Sequence, residues 1–103
     1  VAGGTALTRY FMPKNCHPSL AVTGSQCLSA CLLCPGTVAA GIVARPNEEK
    51  TLMRLEHPMG ILEVLMETRE GAGGFEVLSA GLVRTARKLA AGDLFVPRTV
   101  WQA

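Results

Sequence analysis

Stretches of alternating polar and apolar residues flank one longer stretch in which small and apolar residues run on without alternation. Thr5 to Met12 (TALTRYFM) is rich in β-branched and aromatic residues and predicts a strand, which Pro13 ends. Lys14 to Ala21 is loop-like, with Asn15 and Pro18 as breakers. Thr23-Gly24-Ser25 then opens the run Gln26 to Leu33. This predicts a helix with Thr23 or Ser25 as N-cap and Pro35-Gly36 as its stop. Cys27, Leu28, Ala30, Cys31, Leu32, Leu33 and Cys34 leave almost no polar face. Such a helix is expected to be buried on most sides, inside a sheet rather than on top of one.

Thr37 to Ala44 (TVAAGIVA) reads as a strand and Arg45 to Glu49 as a polar connection. Lys50 to Glu56 alternates, as a half-buried strand does. His57-Pro58-Met59-Gly60 is a turn, and Ile61 to Thr68 is the partner strand of a hairpin. Arg69 to Gly74 is a second loop. Phe75 to Lys88 predicts a long strand with a bulge near Gly81, and Leu94 to Pro97 a last short strand, with Trp101 ending the fold or lying against it. No repeat or low-complexity tract interrupts this order. The expectation is a single α+β domain over residues 1–103, a curved mixed or antiparallel sheet of about six strands around one central buried helix.

Composition narrows the picture. The chain has 103 residues, of which 49% are hydrophobic and only 5% aromatic, so its core is aliphatic. Ten basic against eight acidic residues give a net charge of +2, too weak a field to argue for nucleic acid. The most apolar run, Cys27 to Val43, is interrupted by Pro35-Gly36, so no membrane span is expected. Val1 to Thr5 does not look like a signal peptide, and a first residue other than Met reads as a processed product or a fragment. The four cysteines (Cys16, Cys27, Cys31 and Cys34) crowd into one short region and are read as reduced thiols of a cytoplasmic protein.

The candidate chemistry centres on His17-Pro18-Ser19-Leu20-Ala21-Val22-Thr23-Gly24-Ser25. A helix N-terminus carries free N–H groups and about half a positive charge. Gly24 lets an anion approach the backbone, and Thr23 and Ser25 add hydroxyl donors, so together they suit a carboxylate; plain capping is the bland alternative. His17 is a candidate carboxylate donor or proton carrier, and His57 a weaker one. Cys27, Cys31 and Cys34 share one helix face, and with Cys16 and His17 they could be drawn as a zinc or redox site. The second ligand pair of such a motif is missing, and Leu32-Leu33 read as core, so no metal is expected. Gly71-Ala72-Gly73-Gly74 is a hairpin turn without a phosphate-loop pattern, and Arg84 to Lys88 is a solvated strand face. No Ser–His–Asp set, nucleophile elbow or carboxylate pair is present, and the catalytic base stays unassigned.

Three ordered stretches, covering about nine-tenths of the chain, resemble the C-terminal domain of the PrpF-type 2-methylaconitate cis–trans isomerase family. They are Cys16 to Ser25 leading through the helix to Pro35-Gly36-Thr37-Val38; Glu56-His57-Pro58-Met59-Gly60; and Arg84 to Leu89 with Gly92 and Phe95-Val96-Pro97. The resemblance implies one half of a diaminopimelate epimerase-like fold. It implies a cofactor-independent proton shift on a small unsaturated di- or tricarboxylate such as 2-methylaconitate, aconitate or oxalomesaconate. It places the substrate near His17, Ser19, Thr23, Gly24 and Ser25, and the main base on an N-terminal domain that this chain lacks. The family commonly has serine where Met59 stands. The expected partners are thus the substrate and either the N-terminal domain or a second copy of the chain. A non-catalytic, homodimerising carboxylate-binding module is the competing reading.

Overall fold

The computed structural model describes residues 3–43 and 48–101. Within them the chain is α+β. The strands are β1 (Ala6–Leu7), β2 (Phe11–Met12), β3 (Asn15–Cys16), β4 (Lys50–His57), β5 (Gly60–Gly71) and β6 (Gly74–Leu82), and the one helix is α1 (Val22–Leu33). β1, β4, β5 and β6 form a mixed sheet in that order, with β1 parallel to β4 and the other pairs antiparallel; β2 and β3 form a separate small hairpin.

The alternation of β4 and β5 sets the core. Met53 and Leu55 of β4 and Leu62, Val64 and Met66 of β5 point to one face and are buried, joined by Leu20 and by Leu32 and Leu33 of α1. The opposite face keeps Leu52 and Leu65 half-exposed among direct cross-strand ion pairs, Lys50–Glu67 at 4.0 Å and Arg54–Glu63 at 3.4 Å. These exposed pairs favour the register more than they add stability. Farther along, Arg69 and Glu76 meet at 2.7 Å, and this hydrogen bond with Glu76 holds the guanidinium above its ordinary pKa.

The helix packs on the sheet through a stripe the sequence did not advertise. Ser25 and Ser29 are 1% and 0% exposed and lie in register with Leu32, whereas Cys27 is exposed. Each serine hydroxyl donates back to its own helix, Ser25 to the Val22 carbonyl at 2.7 Å and Ser29 to the Ser25 carbonyl at 2.8 Å. Satisfied in this way, the serines act as small side chains and let the backbone approach the sheet. Gln26 Nε2 adds a tether, donating to the Ala80 carbonyl of β6 at 2.8 Å. α1 therefore lies on one face of the sheet, contacting β5 and β6, with its far side open.

Several expected elements change for identifiable reasons. Thr5 to Met12 is not one strand: Thr5 and Thr8 donate to the Arg54 and Glu56 carbonyls, and the chain then leaves β4 to build β2 and β3. Helix α1 begins at Val22 with Ala21 as its N-cap, so Thr23 and Ser25 are inside the helix and neither caps it. The stop at Pro35-Gly36 holds. However, Thr37 Oγ1 donates to the carbonyls of Cys31 at 2.7 Å and Cys34 at 3.2 Å, which commits Thr37 to closing the helix. Residues 37–43 are consequently turns, not a strand; Ala44 and most of the Arg45–Glu49 connection lie outside the described residues. The first hairpin turn is as expected, with Gly60 at φ 143°, whereas the loop expected over 69–74 narrows to a two-residue turn, because Arg69, Glu70 and Gly71 pair with Glu76, Phe75 and Gly74, the last at φ 102°. The bulge falls at Leu78, between the Glu67–Ser79 and Thr68–Val77 pairs, rather than near Gly81. β6 ends at Leu82. Residues 84–97 carry no regular element, and everything from 83 to 101 is exposed, Trp101 included. A strand needs a partner as well as a pattern, and no segment among the described residues pairs with this one.

Truncation of Leu55, which is 0% exposed, to alanine is expected to cost about 2–5 kcal/mol, and truncation of Leu65, 45% exposed on the open face, about 0.5 kcal/mol or less. Urea midpoints of the two variants check the assignment of the faces.

Candidate functional site

Three segments converge where α1 begins. The β2–β3 hairpin turns the chain around Pro13-Lys14, and the His17 amide continues its ladder by donating to the Tyr10 carbonyl at 2.6 Å. Tyr10 and His17 are thereby paired, their rings edge to face with centroids 6.3 Å apart. Ser19 follows, Leu20 plugs into the core, and Ala21 hands over to the helix. From the other side, β4 delivers His57 at its C-terminal end, where Nε2 lies 3.3 Å from the Ser19 hydroxyl.

Both imidazoles are held by the same local device. His17 Nδ1 accepts the amide of Ser19 at 2.9 Å, and His57 Nδ1 accepts the amide of Met59 at 3.2 Å. In each case proline follows the histidine and has no N–H, so the amide two residues on is the first that can close back onto the ring. The neutral rings are thus set with Nδ1 as acceptor and Nε2 as donor. His57 is the weaker of the two candidates in sequence, and the signal that marks it is the recurrence of His-Pro-x, in His17-Pro18-Ser19 and His57-Pro58-Met59.

The helix end itself is open. Ala21 offers no side-chain cap, and the first turn holds no acidic residue. The Ser25 amide reaches the Ala21 carbonyl at 2.8 Å, which leaves the amides of Val22, Thr23 and Gly24 as the ones an intact helix cannot satisfy within itself. Thr23 is exposed and Gly24 half-buried, so this end is not closed over by strands.

Of the residues singled out from sequence, His17, Ser19, Thr23 and Gly24 gather at this end. Ser25 is adjacent, but its hydroxyl is turned inward to Val22. Gly24 has a different steric role from the one expected. A Cβ there would meet Tyr10 Cε2 at 2.8 Å, so the missing side chain makes room for the tyrosine ring rather than for an anion. Cys16 and Cys27 are exposed, all four cysteines are free, and among the described residues no three His, Cys, Asp or Glu side chains group as metal ligands. A separate shallow groove on the open face of the sheet, lined by Arg54, Ile61, Glu63, Val83 and Arg84, belongs to another part of the molecule. No helix of the described residues is long and apolar enough to cross a membrane.

Residues 3–97 match the family model described as PrpF protein. The chain is similar to YbhH of Escherichia coli K12, 38% identical over 95 residues, which are 92% of this chain and 26% of YbhH. It is similar to the 4-oxalomesaconate tautomerase of Pseudomonas putida KT2440, 34% identical over 99 residues, 96% of this chain and 26% of that enzyme. It is also similar to the 3-methylitaconate isomerase of Eubacterium barkeri, 27% identical over 92 residues, 89% of this chain and 23% of that enzyme. The chain thus spans about a quarter of the length of the curated relatives it matches.

Gly24→Ala tests the tyrosine contact. Alanine gains up to about 1 kcal/mol of helix propensity, and the obstructing atoms are the far end of an exposed side chain, which can swing aside. The expected outcome is a melting temperature at or above the parent's, together with a displaced Tyr10 ring, seen as changed Tyr10 and His17 ring proton shifts.

Proposed function

The chain belongs to the PrpF family, and we propose that it is the carboxylate-binding part of an isomerase acting on small unsaturated di- or tricarboxylates. The observation that carries this reading is the open first turn of α1, uncapped and free of acidic residues, with Ser19 and two oriented imidazoles beside it. The names of the relatives point to the substrate class: oxalomesaconate and methylitaconate are unsaturated acids carrying several carboxylates.

The reaction class is a proton shift. A base removes a proton from carbon next to, or conjugated with, a carboxylate, and the proton returns at another carbon as the double bond moves. Nothing is oxidised or reduced. In the transition state negative charge spreads onto the carboxylate, where preorganised N–H donors stabilise it more than they stabilise the substrate. The amides of Val22, Thr23 and Gly24, the hydroxyls of Ser19 and Thr23 and the Nε2–H of His17 are the donors proposed for this task. The Ser25 side chain supports the turn from inside. The base is proposed to come from an N-terminal domain outside this chain, in keeping with a span of a quarter of the relatives' length. No metal or cofactor enters the proposal, and the cytoplasm is the proposed compartment.

The exposed residues Leu94, Phe95 and Val96 favour a chain that works against further polypeptide. The N-terminal domain is the proposed partner. A second copy of this chain, binding carboxylates without turnover, is the competing occupant.

Deuterium exchange into 4-oxalomesaconate or 3-methylitaconate by the full-length polypeptide is the direct test. Exchange without any added cofactor is expected, and its absence together with tight binding would instead favour the non-catalytic module. Thr23→Asp sharpens the test, because the two expected effects have opposite signs. A carboxylate on the first turn should raise stability by about 0.3–1 kcal/mol while repelling the ligand. Melting curves and calorimetric titration with tricarballylate, a saturated tricarboxylate, measure the two.

A further inference from the structure

Resting on that functional reading, the contact between His57 and Ser19 carries one step more. The Met59 amide donates to His57 Nδ1 at 3.2 Å, so that nitrogen holds a lone pair and the neutral ring carries its proton on Nε2. Nε2 lies 3.3 Å from Ser19 Oγ. With the proton on Nε2, the ring donates to the hydroxyl and cannot take a proton from it. In this tautomer the pair is not a nucleophilic serine with its base. It leaves the Ser19 hydroxyl as an acceptor toward His57, with its own proton directed to another acceptor. The backbone of Ser19 is fixed independently, since its amide is held by His17 Nδ1 at 2.9 Å. The residue is therefore pinned on two sides, three positions ahead of the first residue of α1.

We propose that His57 is a positioning residue that orients the Ser19 hydroxyl as a hydrogen-bond donor to a carboxylate of the ligand held at the start of α1. His57 itself touches no ligand in this arrangement. It acts by occupying one lone pair of Oγ, and Met59 acts by supplying the amide that fixes the tautomer; the side chain of Met59, exposed at the turn, has no part in it. The role sits at the end of β4, distant in sequence from the helix terminus, so only folding brings the two together.

The two amide analogues of histidine separate the roles. His57→Asn keeps an acceptor for the Met59 amide but is too short to reach Ser19, whereas His57→Gln extends an amide N–H to where Nε2 stood. In the full-length polypeptide, Ser19→Ala and His57→Asn are each expected to weaken tricarballylate binding by about 10- to 100-fold, the range for one hydrogen bond to a charged group. His57→Gln should stay within about threefold of the parent, and the double variant Ser19→Ala/His57→Asn should be no weaker than Ser19→Ala alone, because both remove one interaction. Melting temperatures confirm that each variant is folded. Nitrogen-15 spectra of the parent imidazoles, which need no variant, should show His57 as the Nε2–H tautomer. Parent-like binding by His57→Asn, independent and multiplying effects in the double variant, or an Nδ1–H tautomer would overturn the proposal and leave the proposed function standing. A parent that neither binds tricarballylate nor exchanges substrate protons would remove the proposed function, and the ligand role of His57 with it.

Discussion

Close contact between α1 and the β5–β6 hairpin is the constraint on which the rest of the structure depends. Two buried serines make it possible: their hydroxyls bond back to the helix and so present no unsatisfied polar group to the sheet. The Gln26 side chain then ties the helix to β6 through the Ala80 carbonyl. With the helix so placed, Leu32 and Leu33 join the aliphatic core of β4 and β5, and the N-terminal end adjoins the loop that carries His17 and Ser19. Larger side chains at positions 25 and 29 would lift the helix and move that end with it.

The polar corner is built from two copies of one small turn. A histidine followed by proline closes onto the amide two residues later, and this fixes the ring without any charged partner. One copy precedes the helix and the other ends β4. The rings reach Ser19 from different directions, His17 through the backbone and His57 through the hydroxyl. The result is a group of polar atoms whose partners are already set within the fold. In the proposed function, such preorganisation stabilises a charge that appears only during reaction.

The outer surfaces tell a complementary story. The open face of the sheet keeps Leu52 and Leu65 half-exposed, and the segment from 83 onward places Phe95 at 90% exposure. A radius of gyration of 18.4 Å exceeds the roughly 13 Å of a compact chain of this size. The end of the strand expected over 75–88 and the short strand expected over 94–97 carry no ladder among the described residues.

The hydropathy pattern by itself determined the β4–β5 hairpin, the helix and its stop at Pro35-Gly36, and the α+β class. These depend on local period and on turn residues. The motif order was also sufficient to identify the family resemblance. Tertiary structure alone decided which helix face is buried, because a serine satisfied by its own backbone reads as polar in sequence and behaves as small in a core. It decided the true start of the helix at Val22, and it assigned the space beside Gly24 to Tyr10. It also brought His57 against Ser19, beside the start of the helix. Residues 19 and 57 meet only when β4 is laid beside the helix-bearing loop, and no local pattern encodes a contact across that separation.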